Sequence, residues 1–296
     1  MSVEAAPQTT APAAQGDDAP LRRGFRIRDY GILVALVAIV VALSASTDTF
    51  LTKGNLINLL DQCAVVGLLA AGATVCILSG VFDLTASATL ALSAIVGVKV
   101  AQHTNVLTGF AAAVVVTSGA ILYPLTTQSD DFGMLTWPSV FDLTSATIVF
   151  VVVVAVIGVV VAATTFGRRL YAVGGNAEAA RLSGIRVGSI HISAYVISGV
   201  CSALAGLILA SRAGSAQSSM ATGLELSAIA AAVIGGTSIL GGEGAIWRGV
   251  VGALLLTLIG NGFNLLGWDT TYQQVVQGCL ILLAVALDRW LRRRTR

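Results

Sequence analysis

Charge is scarce in this chain. Only 11% of its 296 residues are Asp, Glu, Lys or Arg, against about a quarter in a soluble domain, and the mean hydropathy is +0.87. A soluble domain is excluded, because apolar runs of near bilayer-spanning length recur across residues 31–287. Alternation is missing too: the runs are continuously apolar, without the period-two pattern of membrane strands, which excludes a β-barrel. What remains is an all-α, polytopic helical membrane protein, since a helix satisfies its backbone groups within itself in lipid. Histidine is rare, with two residues, and the four cysteines (Cys63, Cys76, Cys201 and Cys279) sit inside apolar runs without CxxC or Cys/His spacing. No metal site or disulfide framework is therefore expected. The glycine-rich stretch GGTSILGGEG lacks the GK[ST] ending of a phosphate loop. With no Walker motif and no catalytic triad, the chain is expected to be neither an enzyme nor a cofactor binder. The net charge of +2 gives no sign of nucleic-acid binding.

The basic residues that are present cluster in three places. Residues 1–20, rich in Ala, Pro, Gln and Asp, read as a disordered tail and not a signal peptide, because no apolar core follows directly. Arg22, Arg23, Arg26 and Arg28 then flank the first apolar run, so residues 1–28 are expected in the cytoplasm. A membrane domain over residues 29–290 follows, with about 8–10 transmembrane or re-entrant helices. Residues 47–62 read as an external link with an interfacial helix, and the acidic linker 126–142, without Lys or Arg, as a second external segment. The chain closes on DRWLRRRTR, whose last residues, 291–296, are a second cytoplasmic tail. Between these ends lies a polar island, residues 164–186, carrying Arg168, Arg169, Arg181 and Arg186 against a single acid, Glu178.

The island is the pivot of the reading. Its arginines put it in the cytoplasm. Gly174-Gly175-Asn176 reads as a turn, residues 177–182 as a short helix with Asn176 as N-cap, and Gly184 as its stop. Four runs separate the island from the C-terminal arginines, which places both on one side. Five separate it from the N-terminal arginines. Either the run at 106–125 is not a single crossing, or the N-terminus lies outside.

The island sequence LYAVGGNAEAARLSGIRV resembles the cytoplasmic loop of the permease subunits of bacterial ABC sugar importers, the ribose/xylose-type branch related to the branched-chain amino-acid permeases. ILSGVFDLTASATLALSAIV is similar to a second family segment, with departures at Phe82, Thr85 and Ala86. ELSAIAAAVIGGTSILGGEGAIWRGVVGALLL and NGFNLLGWDTTYQQVVQGCLILLAVALD are similar to its C-terminal pattern. One departure stands out. The family carries an Asn-Gly-containing span and a Pro-Pro-Phe segment where this chain passes from Gly109-Phe110-Ala111 to Val116-Thr117-Ser118-Gly119, a loss of about one span that matches the odd count.

The resemblance implies a permease subunit in the bacterial cytoplasmic membrane that imports a monosaccharide or similar small polar solute. It implies a second permease copy (homodimer or heterodimer), an ABC ATPase subunit that binds the ATP, and an extracytoplasmic sugar-binding protein. It makes residues 164–188 the coupling loop, with Gly174, Gly175, Asn176, Glu178, Ala179, Ala180, Arg181, Ser183 and Gly184 as its working residues. Polar breaks in apolar runs point to the translocation path: Asp83, Thr85, Ser87, Thr237, Ser238, Asn261 and Asn264. For Asp83 the alternative is a helix cap, and for Asn261 and Asn264 a hydrogen bond to a neighbouring helix. Gln273 and Gln274 are path or interface candidates. Two rival functions remain, a truncated and inactive permease remnant and an ion-coupled secondary transporter; the second needs mid-span ionisable groups, and nearly all the acids sit at run ends.

Overall fold

A computed structural model describes residues 27–103, 108–109, 111–113, 126–128, 138–140, 143–269, 271–273, 275–276, 278–279 and 282. The expectations for residues 1–26, most of the run at 106–125, Gln274 and the basic end at 288–296 lie outside them. The architecture is a helical bundle, as the composition requires. Its helices are α1 (Ile27–Ser46), α2 (Lys53–Leu78), α3 (Ala86–His103), α4 (Ser145–Ala163), α5 (Thr165–Gly175), α6 (Ala177–Leu182), α7 (Val187–Ala213), α8 (Leu224–Ile234) and α9 (Ile246–Leu265). Four of these, α2, α4, α7 and α9, are long and apolar enough to cross a membrane, and α1, α3 and α8 contain shorter apolar stretches. Two small antiparallel pairings join the connections: β1 (Thr126–Gln128) with β4 (Ser215–Gln217), and β2 (Pro138–Val140) with β3 (Leu143–Thr144).

α2 is the central element. Seventeen of its 26 residues are buried, and it packs on α4, α7, α8 and α9. The helix begins earlier than its polar start suggests: Thr52 caps it, its hydroxyl accepting from the Asn55 N–H at 3.4 Å. The expected external link is thus partly the first turns of a span. At the other end Gly80 adopts φ +85°. Val81 N–H reaches the Cys76 carbonyl and Gly80 N–H that of Ile77, the paired bonds of a Schellman stop, which needs a left-handed residue.

Neighbouring contacts set the directions. Asn58 meets Arg212 while Ser79 meets His191, so α2 and α7 are antiparallel. Asn55 meets Asn261 while Thr74 lies beside Gly249, so α2 and α9 are antiparallel too. Asp61 meets Thr147 at the start of α4. α3 runs with α7, from Phe82 beside Tyr195 to Gly97 beside Leu207. Small residues let these backbones approach; a Cβ on Gly206 would collide with the Leu90 carbonyl of α3. One end of the bundle therefore carries the island, and the far end carries the last turns of α3 and α7, the first turns of α2 and α4, and the β1–β4 pairing.

This frame bears on the odd span count. α3 ends at the far end. Gly109 lies against Gly97 and Ala101, and β1 pairs with β4 directly after α7. Both described flanks of the run at 106–125 are therefore at the far end. α1 runs alongside α9 in the same sense: its Leu43 lies against Gly262, near the end of α9, and its last residue, Ser46, leads into the start of α2 at the far end. Its first residue thus starts from the island end.

Candidate functional site

Two features occupy opposite ends of the bundle. At the far end, α2, α8 and α9 line an open cavity of about 440 Å³. Thr257, Gly260 and Asn264 line it from one face of α9, Gln62 and Val66 from one face of α2, and Ser227 from α8. These spacings of three and four residues put each set on a single helical stripe. Gln273 completes the lining. Sequence reasoning named Asn264 and considered Gln273, but missed Gln62, Ser227 and Thr257, whose stripe is faint in helices that are apolar nearly all round.

Asn261 has another partner. It is buried and exchanges two amide hydrogen bonds with Asn55, at 2.8 and 3.1 Å, while Asn55 also donates to the Phe50 carbonyl at 2.9 Å. It joins α9 to α2 and does not line the cavity. Beside the cavity, Gln62 and Arg212 both donate to the Asn58 side-chain oxygen, at 3.3 and 2.8 Å. Asp61 is buried and accepts from the hydroxyls of Thr144 and Thr147, the latter at 3.2 Å. Because Thr144 is also the N-cap of α4, this carboxylate sits at the positive end of that helix.

At the island end the structure brings the two sequence breaks together. The α2–α3 connection and the α8–α9 connection touch each other and the island. Gly242 N–H donates to the Leu78 carbonyl at 3.1 Å. A Cβ on Gly241 would stand 2.8 Å from the Gly174 oxygen and 3.0 Å from the Gly80 Cα. A Cβ on Gly174 would collide with the Leu78 carbonyl. This is a backbone-to-backbone junction of four glycines, from which side chains are excluded. Tyr171 reinforces it, its hydroxyl donating to the Gly244 carbonyl at 2.9 Å. Burial pushes the Tyr171 phenol above its ordinary value and Arg248 pulls it back in part. His191 lies 3.2 Å from the Ser79 carbonyl.

The remaining path candidates lie at this end. Asp83 is buried and accepts from the Thr85 N–H at 2.9 Å and the Thr85 hydroxyl at 2.6 Å. It forms a turn one step before α3, whose first backbone bond runs from Thr89 to Thr85, so Thr85, and not Asp83, is the capping residue. Ser87 is half-buried in the first turn. Thr237 and Ser238 are buried in the α8–α9 connection, where Ser238 accepts from the Leu240 N–H at 3.2 Å.

The island itself holds two helices. Gly174 and Gly175 are the last residues of α5, not a turn, because Gly174 is packed into the junction. Asn176 starts α6, its side chain accepting from the Ala179 N–H at 3.0 Å, and Gly184 ends it at φ +82°. Ala180 is buried and fixes α6 to the bundle; Ala179, Arg181, Leu182 and Ser183 are exposed. Arg181 pairs with Glu178 at 2.8 Å, both largely in solvent. Such a pair contributes at most about 1 kcal/mol, which leaves both charges open to a partner. Leu182 is 80% exposed. That apolar side chain on a polar island is a feature the sequence reading passed over.

Among the described residues no group of His, Cys, Asp and Glu could hold a metal ion. The comparisons with known proteins agree with one another. The family described as branched-chain amino acid transport system / permease component matches residues 105–285. The ribose import permease protein RbsC of Bacillus subtilis is 36% identical over 88% of this chain and 92% of its own length. Its counterpart in Escherichia coli K12 is 34% identical over 86% and 92%. The xylose transport system permease protein XylH of Escherichia coli is 47% identical over 45% of this chain and 34% of its own length. The Bacillus alignment runs over 296 positions yet takes in only 88% of this 296-residue chain, so about an eighth of its positions have no residue here. No solved structure gives a significant match.

Proposed function

This chain belongs to the family of the branched-chain amino acid transport system permease component, and from that premise we propose that it imports a monosaccharide or similar small polar solute as the membrane subunit of an ABC transporter. Relatives named for ribose, allose and xylose transport support the solute class. In this reading the subunit lies in the bacterial cytoplasmic membrane with both termini and the island in the cytoplasm, beside a second permease copy. An extracytoplasmic binding protein delivers solute at the far end, and a separate ATPase docks on residues 164–188 and supplies ATP hydrolysis.

The observation that carries the proposal is the glycine junction. A docking helix can drive a transporter only if its movement reaches the spans, and packed backbones transmit displacement without side-chain slack. Here α6 follows α5 directly, and the last turn of α5 touches both the end of α2 and the α8–α9 connection. Displacing the island must displace both helix breaks. Asp83, Thr85, Ser87, Thr237 and Ser238 lie in or next to those breaks, at the inner end of the path, and Asn264 at the outer end.

The test is uptake of labelled ribose, xylose or allose by cells that express this chain with its ATPase and binding protein and have no other route. Uptake that stops on ATP depletion supports the importer; uptake that instead stops when ion gradients are collapsed replaces it with a secondary transporter. A second reading, an inactive remnant, is favoured by the positions of the relatives that have no counterpart here. Assembly with the ATPase but no uptake of any of the three sugars would establish it.

A further inference from the structure

The far-end cavity combines polar and apolar side chains in its lining. Its polar side chains are amides and hydroxyls, chiefly Gln62, Ser227, Thr257, Asn264 and Gln273, and among the described residues no Asp, Glu, Lys, Arg or His lines it. The side-chain amides of Asn264 and Gln273 have no hydrogen-bond partner among the described residues. Each offers a donor and an acceptor to whatever enters. Gly260 is what lets Gln273 reach α9: a Cβ there would stand 2.8 Å from the Gln273 Nε2. Beneath the amides, Val66 and Leu256 supply an apolar surface. The volume, about 440 Å³, falls within the range of about 300–1,000 Å³ usual for small-molecule sites.

We propose that this cavity is a recognition site, in the permease itself, for a neutral polyhydroxylated solute of monosaccharide size. A sugar hydroxyl both donates and accepts, as do the amides that face it, and its C–H face suits Val66 and Leu256. A free amino acid fits this lining poorly: its ammonium and carboxylate would leave water for side chains among which the described residues offer no counter-charge, and uncompensated ions are strongly disfavoured. The family's name covers amino-acid transport, so the cavity supplies the discrimination that the family alone does not. The proposal rests on the importer reading and adds that this subunit selects its solute in addition to any binding protein.

The experiment is equilibrium binding of labelled ribose, xylose and allose, with leucine as the contrasting probe, to the full chain in lipid nanodiscs. Saturable binding of at least one sugar and none of leucine is expected. Asn264→Ala and Gln273→Ala should each weaken it by about tenfold, the loss expected of an amide hydrogen bond. Gly260→Leu should abolish it, because its side chain meets the movable end of Gln273 and not a backbone. This variant serves if either alanine variant fails to fold. Leucine binding as tight as sugar binding, or sugar binding unchanged in well-folded Gly260→Leu protein, overturns the proposal. So does ATP-driven sugar uptake by the assembled transporter without saturable binding to the chain, a result that leaves the importer reading intact. Saturable, variant-sensitive binding without uptake would keep the site and remove the importer.

Discussion

Asn261 and Asn264 sit one helical turn apart and do different work. Asn261 holds α9 to α2 through the reciprocal amide pair with Asn55. Asn264 lines the cavity. Asn261→Ala removes two hydrogen bonds and leaves the half-buried Asn55 side-chain oxygen without its partner, so a loss of about 1–2 kcal/mol in stability is expected, read as a lower melting temperature in detergent. Sugar binding by the folded fraction should be unaffected, and a variant that melts like the parent would show that the pair carries no weight. The sequence could narrow the choice to these two residues and no further, because in an apolar helix the periodicity that separates a buried face from a cavity face is weak. Tyr171 gives a pH test at the same scale. Burial raises its phenol above the ordinary value of 10.0. The folded state therefore favours the protonated form, and the bond to Gly244 is kept through neutral pH. Its contribution is lost only as pH rises past that ordinary value toward the raised one. Tyr171→Phe should remove this alkaline component of unfolding, measured by melting scans at increasing pH.

Among the elements, α6 was the most legible in advance. Its cap at Asn176, its extent and its stop at Gly184 are local signals that short polar sequences display plainly, and the structure repeats them. α5 was not legible: its two terminal glycines suggest a turn, and only the tertiary contact with Leu78 explains why they remain helical. The same contact makes Gly174→Ala a direct test of the lever. A methyl group there must push the island away from α2, so ATPase binding should persist while ATP-driven uptake falls by at least tenfold; full uptake would mean that the junction transmits nothing. Docking is tested on the outer face. Leu182 offers the one large apolar contact of α6, and losing such an anchor from an interface costs about 2 kcal/mol or more. Leu182→Asp and Arg181→Glu should each reduce co-purification with the ATPase while membrane insertion is unchanged, and undiminished pull-down by both would remove α6 from the interface.

For the whole molecule, the charge rule asks that both arginine-rich ends lie on one side, in a chain that lacks about an eighth of a relative's aligned positions. Composition alone made the all-α membrane class legible, since scarce charge and long apolar runs leave few other folds. The crossing count was not legible, because a run of twenty apolar residues looks the same whether it crosses or returns. The described helices resolve the direction of travel. α1, α3, α7 and α9 run away from the island end, and α2, α4 and α8 run toward it. The chain leaves α3 and enters α4 at the same, far end. Reporter fusions give the test. Fusions at Gly175 and Arg296 should both read cytoplasmic, and a fusion at Asp130 external, with the basic residues before α1 on the side of Gly175. A cytoplasmic signal at Asp130 would mean that the run at 106–125 crosses after all, and the two arginine-rich ends would then have to lie on opposite sides of the membrane, against the charge rule that orients them.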